Sequence, residues 1–216
     1  MVLHTMDLRS VAWQEQVQYR TATDTSTLTA FKPQRLGMIR LCRDSMDGLT
    51  PMLAPDLRWT ARGSRVAISK TAEYRIDVYS GPRLTRVLSR RVPGVRGDAE
   101  AVRRFYPEGK IIGSMDCTLS ATELASRRGV ARIVQPVRRL AFDRQGRLWV
   151  ERNTFPDEEP RADIFADTGE YLGTLVGFGA PLGFPARNLV VFALPNSSEG
   201  ESRLGVFRLR LPDRSD

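Results

Sequence analysis

Histidine and cysteine, the side chains that hold most protein-bound zinc, are nearly absent from this chain. The only histidine is His4, and the two cysteines, Cys42 and Cys117, lie far apart and form no CxxC pair. The usual zinc-binding spacings are therefore excluded. A Ser–His or Cys–His nucleophilic pair would have to use His4, near a chain end, where side chains are usually poorly ordered. The sequence is compatible with a Cys42–Cys117 disulfide and equally with two free thiols.

Long apolar runs are also missing. No window approaches the about 20 apolar residues of a membrane-spanning helix, and residues 1–9 lack the apolar core of about 7–15 residues that a secretory signal needs. With 216 residues, 41% of them hydrophobic, the composition is that of a globular protein. The sequence therefore predicts no membrane span, and it carries no signal that identifies a cellular location.

Lysine is rare, although the chain is strongly basic, with a net charge of +8. Lysine occurs only at Lys32, Lys70 and Lys110, so arginine supplies nearly all of the positive charge. The arginines are scattered or form isolated pairs, with no block of five like charges and no RNA- or DNA-binding motif. We therefore expect solvated basic faces. An arginine-driven nucleic-acid binder is kept as an alternative, and it predicts an affinity that falls steeply with salt.

Short alternating strands recur through the second half of the chain. Residues 137–143 and 147–153 are predicted to form two strands joined by a Gln-Gly turn, and residues 162–167 and 171–176 form a second pair joined by a Thr-Gly turn. Four short strands in about 40 residues are the rhythm of one propeller blade.

The same unit recurs in a constant register. An earlier unit over residues 57–92 places Asp77 at the position of Asp163, and a later unit over residues 181–211 keeps a period of about 41 residues. A β-sandwich, the alternative, also has recurring short strands but need not keep a constant period. The sequence therefore predicts an all-β fold, a partial and open β-propeller of roughly three to four blades with a short helical insertion.

The pattern divides the chain into three parts. Residues 1–56 are the least regular, with a strand predicted at 11–20 and a polar loop at 21–27. Residues 57–211 carry the blades, and residues 212–216 form a short tail. The strand at 11–20 is also a candidate to complete the last blade, which has no evident fourth strand of its own.

A segment without blade pattern, residues 93–136, separates the two clear blades. Asp98 is predicted to cap one short helix, and Ser120 and Glu123 form the capping box of a second. In a four-stranded blade the hairpins between strands 1–2 and 3–4 lie on one face of the disc, and the 2–3 loops and inter-blade links lie on the other. The insertion and the loop at 153–160 therefore share an elaborated face, where binding is expected. The alternative is a solvated insertion that only fills a gap.

The residues expected to bind a ligand on this face carry amide, carboxylate and guanidinium groups: Asn153, Asp157, Glu158, Glu159, Arg127 and Arg128. The acidic run 157–159 is expected to form salt bridges with arginines of the insertion. Calcium binding is the alternative, but three consecutive carboxylates cannot all point at one ion, so ligands from several blades would be needed. No catalytic residue, metal ligand or cofactor is predicted.

Two signatures, LAFDRQGRLWV over residues 140–150 and IFADTGEYLG over residues 164–173, resemble the repeats of NHL-like six-bladed β-propeller proteins of environmental bacteria. The resemblance covers residues 57–211. Such proteins serve as binding platforms, lactonase-type enzymes or envelope proteins, so the resemblance implies a fold without naming a function. It further implies a periplasmic or extracellular location, and we interpret the chain as a C-terminal part of such a propeller.

We therefore expect a non-catalytic β-propeller binding or scaffold module with an unknown protein or small-molecule ligand. The enzyme alternative is a calcium-dependent lactonase-type hydrolase, whose melting temperature would rise on adding calcium. The predicted channel-lining strands offer it Asp56 and little else that is acidic. An open arc of blades also leaves sheet edges unpaired, which predicts self-association through residues 203–211 or 57–61.

Overall fold

The protein is built almost entirely from antiparallel strands. The computed structural model describes residues 2–6, 13–32, 38–42, 45–48, 50–107, 110–111, 118–194 and 203–210. In chain order the elements are β1 (Val2–Met6), β2 (Trp13–Arg20), β3 (Thr25–Phe31), β4 (Met38–Cys42), β5 (Ser45–Gly48), β6 (Arg58–Arg62), β7 (Arg65–Ser69), β8 (Arg75–Ser80), β9 (Arg83–Ser89), α1 (Ala99–Phe105), β10 (Lys110–Ile111), β11 (Thr118–Leu119), α2 (Ala121–Arg128), β12 (Val137–Phe142), β13 (Leu148–Arg152), β14 (Arg161–Phe165), β15 (Tyr171–Val176), β16 (Leu189–Leu194) and β17 (Arg203–Arg208).

Two four-stranded meanders form the centre of the fold. Blade 1 has the strand order β6-β7-β8-β9, and blade 2 has the order β12-β13-β14-β15. A three-stranded N-terminal sheet, β1-β2-β3, precedes them, and a C-terminal hairpin, β16-β17, follows. The predicted all-β, open propeller-like fold with a short helical insertion is confirmed. No closed ring of strands is present in the described part of the chain.

The predicted match of Asp77 with Asp163 is also confirmed. Asp77 lies opposite Ile68 in blade 1, and Asp163 lies opposite Val150 at the corresponding place in blade 2. The β12–β13 turn requires Gly146, whose φ of +79° lies in the left-handed region that favours glycine. The fixed turn geometry sets which side chains of each strand point at the neighbouring blade.

Apolar side chains on both faces of the blades hold the sheets together in chain order. Blade 1 packs on blade 2 through a cluster that includes Ile76 and Phe142. The opposite face of blade 2 buries Trp149 against the C-terminal hairpin, and the N-terminal sheet inserts Val17 against blade 1. Each fully buried side chain of this kind contributes about 1.5–3 kcal/mol of transfer free energy. The four sheets therefore stack as successive layers of an arc, and the first strands of blades 1 and 2, β6 and β12, lie next to each other.

The N-terminal region differs from its prediction in two places. The prediction of a polar loop at 21–27 is wrong for residues 25–27, because β3 begins at Thr25. Thr25 pairs with Arg20 of β2. Threonine is β-branched and favours strands despite its polarity. The idea that the predicted strand at 11–20 completes the last blade is also wrong. Both edges of β2 are already occupied, by β1 on one side and β3 on the other.

The insertion forms the two predicted helices. The Asp98 carboxylate accepts a hydrogen bond from the Ala101 amide at 2.9 Å, and Ser120 and Glu123 form the expected reciprocal capping box. Leu124 and Val102 pack together in one apolar cluster, so the helices form a single small unit. No helix in the described residues has the length and apolarity needed to cross a membrane.

Cys117 and residues 211–216 lie outside the described residues, so the disulfide hypothesis and the tail remain predictions.

Candidate binding cleft

Helix α1 is fastened to the loop between β13 and β14. The Arg104 guanidinium donates to Asp157 at 2.8 Å and to Glu158 at 3.3 Å, and it lies 3.5 Å from the centre of the Phe155 ring. Phe105 adds a ring contact with Phe155 at 4.9 Å between centroids. The hydrogen bonds from Arg104 hold the pKa of Asp157 below its usual value. The predicted salt bridging between the acidic run and the insertion is therefore confirmed for Asp157 and Glu158.

A cleft of about 530 Å³ opens beside this contact. Its walls come from the links that lead into the first strands of blades 1 and 2, from both helices and from the β13–β14 loop. These are segments that the blade topology places on the elaborated face. Apolar side chains supply part of the wall: Met52, Leu53, Phe105, Tyr106 and Val134. The volume lies within the range of small-molecule sites in proteins, about 300–1,000 Å³.

A hydrogen-bonded chain of three residues, Asp56, Arg58 and Gln135, lines the cleft. The Gln135 side chain is only 3% exposed, and its Oε1 accepts the Asp56 backbone N–H at 2.9 Å. The Asp56 carboxylate in turn pairs with the Arg58 guanidinium at 3.0 Å. Two buried donors of this chain, Gln135 Nε2 and Arg58 Nε, have no hydrogen-bond partner among the described residues. Leaving such a group unsatisfied typically costs about 1–3 kcal/mol.

Positive charge exceeds negative charge around the cleft. Arg58, Arg128 and Arg138 line it, whereas Asp56 is the one acidic residue among the described residues of its lining. Arg128 donates to the Thr50 carbonyl at 3.2 Å, an acceptor that carries no formal charge. Arg138 pairs with Glu151 at 3.3 Å. The balance of charge in this region favours an anionic group over a cationic one.

The structure separates the predicted site residues into three groups. Asn153 and Arg128 line the cleft, and Asn153 donates to the Gln135 carbonyl at 3.1 Å. Asp157 and Glu158 lie at its border, where they bind Arg104. Glu159 and Arg127 are exposed and do not belong to the lining.

Sequence reasoning missed Gln135, Arg58 and Arg104. The available signal for Gln135 was a polar residue between Val134 and Pro136, two positions before a predicted strand. A buried amide in such a place must find partners or cost stability, which makes it a candidate for a site.

A second polar cluster lies between the two blades, away from the cleft. The fully buried Asp163 carboxylate accepts hydrogen bonds from Tyr74 at 2.7 Å and from Arg152 at 2.9 and 2.7 Å. Arg90 approaches it to 2.6 Å, and Thr174 also donates to it. Burial alone would raise the pKa of Asp163, but the hydrogen bonds from Arg152, Thr174 and Tyr74 outweigh it and hold that pKa below its usual value. Every oxygen of the carboxylate is engaged by the protein, so the cluster joins the blades instead of presenting a free ligand site.

Within the described residues, no group of three or more histidine, cysteine, aspartate or glutamate side chains is arranged to hold a metal ion.

Comparison with known proteins assigns no family. No family model matches the chain, and no curated protein matches it. A solved structure described as "Crystal structure of the eukaryotic initiation factor" aligns with 92% of this chain at 12% identity and a TM-score of 0.28. The chain spans about half the length of that protein, covering 50% of it. A likeness this weak supports no argument about fold or function.

Proposed function

We propose that the protein is a non-catalytic β-propeller binding module that takes a small-molecule ligand in the cleft of the elaborated face. One observation carries the proposal: the helical insertion and the β13–β14 loop, joined through Arg104, enclose a cleft of about 530 Å³. The cleft stands on two four-stranded blades with a shared apolar core, which supply a rigid base. Binding residues on loops that a rigid scaffold positions are a common arrangement.

The sequence signatures support a finer version of the same proposal. We infer that the module is of the NHL-like kind, derived from a bacterial six-bladed propeller with a periplasmic location. The support is the pair of motifs at residues 140–150 and 164–173, which lie on blade 2 and include its two hairpin turns. Among the described residues of the cleft lining, the one carboxylate is that of Asp56, and it is paired with Arg58, so we propose a binding role over catalysis.

Self-association is a second part of the proposal. In the described residues, β17 pairs on one side only, with β16. Its Leu204 and Val206 side chains are 66% and 63% exposed. Unpaired strand edges of this kind pair readily with another chain. The segment 57–61 is less suited to this role, because β6 lies against β12 inside the arc, and the proposal therefore rests on residues 203–210.

A fragment screen by ligand-observed NMR tests the binding proposal. The full chain is compared with Thr154→Trp, which fills the cleft, and with Ala186→Trp, which adds the same side chain at an exposed position outside the lining. We expect a set of fragments to bind the wild type and Ala186→Trp but not Thr154→Trp. Fragments that bind all three proteins equally would show that the cleft is not the binding site.

A further inference from the structure

We propose that the hairpin face of the two blades is a second binding surface, which holds the phosphate backbone of a nucleic-acid duplex without reading its base sequence. The hairpin face consists of the four turns at residues 62–65, 80–86, 143–147 and 166–170. It lies at the opposite ends of the strands from the cleft. The inference therefore goes beyond the proposed function and does not depend on it.

Positive charge is concentrated on the hairpin face. Its turns contain three acidic residues and six arginines: Arg62, Arg65, Arg83, Arg86, Arg144 and Arg147. One of the acidic residues, Asp143, is buried and paired with Arg147. The other arginines come from turns that are distant in the sequence. Folding brings them together, because the 1–2 and 3–4 hairpins of each blade lie at the same ends of its strands.

Arg62 and Arg144 form one half of a continuous row of arginines. Arg62 of blade 1 donates to the Arg144 main-chain carbonyl of blade 2 at 3.0 Å. The Arg144 guanidinium donates in turn to the Phe184 carbonyl at 2.7 Å, in the link that follows blade 2. Both arginines are exposed. This half of the row therefore extends from blade 1 across blade 2 toward the C-terminal hairpin.

Arg65 and Arg86 form the other half of the row, between the same two blades. Arg65 donates to the Gly146 carbonyl at 3.1 Å and to the Asp167 carbonyl at 3.3 Å. Arg86 donates to the same Asp167 carbonyl at 2.5 Å. A Cβ atom at Gly146 would lie 2.8 Å from Arg65 Nη1, so glycine leaves the room that this guanidinium occupies. Gly146 and Arg144 belong to one turn, and the two halves of the row are therefore continuous.

These hydrogen bonds hold the guanidinium groups in place without neutralising them. A main-chain carbonyl carries no formal charge, and each bond uses one of the five N–H donors of a guanidinium. The remaining donors suit phosphate oxygens, which arginine binds with two parallel hydrogen bonds. A side chain that is already held in place also loses less conformational entropy when it binds. The row is therefore prepared for a series of phosphate groups.

The shape of the hairpin face favours a duplex over a flexible chain. Two residues separate β6 from β7 and β8 from β9, and five separate the paired strands of each blade 2 hairpin, so the turns supply no long loop that could surround a peptide. The four turns also contain no aromatic residue on which unpaired bases could stack. A duplex presents phosphates at regular spacing on a stiff rod, which matches a fixed row of cations. Contacts with phosphates carry no sequence information, so binding should not depend on base sequence.

The test measures binding of a short fluorescent DNA duplex of mixed sequence to the full chain by fluorescence anisotropy. Each phosphate contact contributes about −0.9 to the slope of log affinity against log salt concentration. Four arginine–phosphate contacts therefore predict a slope of about −3.6, which is a loss of about 150-fold in affinity between about 50 and 200 mM salt. A second duplex of unrelated sequence should bind with equal affinity.

Two triple variants locate the binding surface. The first removes three exposed cations of the row: Arg62→Gln, Arg86→Gln and Arg144→Gln. Its salt slope should become less negative by about 3, or about one for each lost phosphate contact. The control removes the same charge from exposed arginines at the other ends of the strands: Arg91→Gln, Arg132→Gln and Arg161→Gln. The control should keep the wild-type slope.

A charge reversal at Arg83 tests the same face while leaving the bonds of the row in place. Arg83 is exposed in the hairpin that also carries Arg86. Arg83→Glu should weaken duplex binding about tenfold at about 50 mM salt, because a repelling charge replaces an attracting one. Arg132→Glu, its matched control, should change the affinity by less than about twofold. Thermal melting checks that both variants are as stable as the wild type.

Each outcome decides the inference. Equal losses in the two triple variants would show that total charge governs binding, which overturns the assignment to the hairpin face. Tighter binding of the single strand, of polyglutamate or of phosphatidylglycerol vesicles would overturn the duplex in favour of that partner. Absence of duplex binding at about 50 mM salt would overturn the inference outright. Thr154→Trp, which fills the cleft, should bind the duplex as the wild type does, so the fragment screen tests the cleft separately.

Discussion

The Tyr74 hydroxyl donates to the Asp163 carboxylate at 2.7 Å and so links blade 1 to blade 2 through a buried hydrogen bond. Burial and the negative charge of Asp163 both raise the pKa of Tyr74, which keeps its hydroxyl protonated and able to donate. Arg90, also from blade 1, reaches the same carboxylate. A single aspartate in β14 therefore collects two cross-blade contacts as well as the bonds from its own blade.

Replacing Asp163 is expected to weaken the blade interface strongly. In Asp163→Asn the two arginines lose their anionic partner in a buried site, and we expect the free energy of unfolding to fall by about 3 kcal/mol. Asp77→Asn is the matched control, because Asp77 occupies the equivalent position in blade 1 and its ion pair within the described residues is with Arg75 alone, at 3.1 Å. The free energy of unfolding of Asp77→Asn should fall by less than about 1 kcal/mol. Urea unfolding measures both, and equal losses would contradict a special role for Asp163.

The contribution of Asp163 is expected to depend on pH. Its pKa is depressed in the folded protein, so the stabilisation is complete above the unfolded-state pKa of about 3.9 and is lost as the pH falls through the folded-state value. The stability difference between wild type and Asp163→Asn should therefore be constant near neutral pH and shrink below about pH 4. Urea unfolding at a series of pH values measures it. A stability difference that grows on acidification would contradict a depressed pKa of Asp163 in the folded protein.

Arg104 is expected to control how firmly helix α1 is held over the cleft. In Arg104→Gln the contacts with Asp157 and Glu158 are lost, and amide hydrogen exchange in residues 99–106 and 153–159 should become faster, with little change in overall melting temperature. Arg103→Gln is a close control, since Arg103 pairs with Glu100 of the same helix at 2.5 Å and does not reach the loop through that contact. Amide hydrogen exchange in residues 153–159 of Arg103→Gln should match that of the wild type. Identical exchange in all three proteins would contradict the fastening role of Arg104.

The exposed edge formed by β17 is expected to mediate self-association. The double variant Leu204→Lys, Val206→Lys places two charges on this strand and should shift the protein toward monomer in light scattering, because charged edge strands resist pairing. Leu84→Lys with Val87→Lys is the comparison, since β9 of blade 1 is also the outer strand of its sheet and these side chains are 45% and 43% exposed. Association that is lost in this pair, and kept in the β17 variant, would place the contact on blade 1 instead. A wild-type protein that stays monomeric at high concentration would contradict the proposal at once.

The fold was largely predictable because it follows local rules that repeat. The Gly146 turn, the Asp98 cap and the Ser120–Glu123 capping box each depend on residues within a few positions of one another. Alternation of apolar residues gave the strands of blades 1 and 2, and their constant period gave the architecture. The missed strand residues at 25–27 show the limit of this reasoning, because their polarity suggested a loop and their pairing with β2 decided otherwise.

The site was less predictable because it is assembled across the chain. The bond between Asp56 and Gln135 joins residues 79 positions apart, and the bond between Arg104 and Asp157 spans 53. Sequence topology placed the insertion and the β13–β14 loop on one face, which located the region. Which donors lose their partners on folding depends on the packing of the links, and no local pattern encodes it.

Crystallographic fragment soaking of the full chain tests the central claim, that the cleft is a ligand site, most directly. We expect fragments bound between α1 and the link residues 50–58, in contact with the residues that line the cleft. Fragments bound only elsewhere on the protein, in crystals where the cleft is open to solvent, would contradict it.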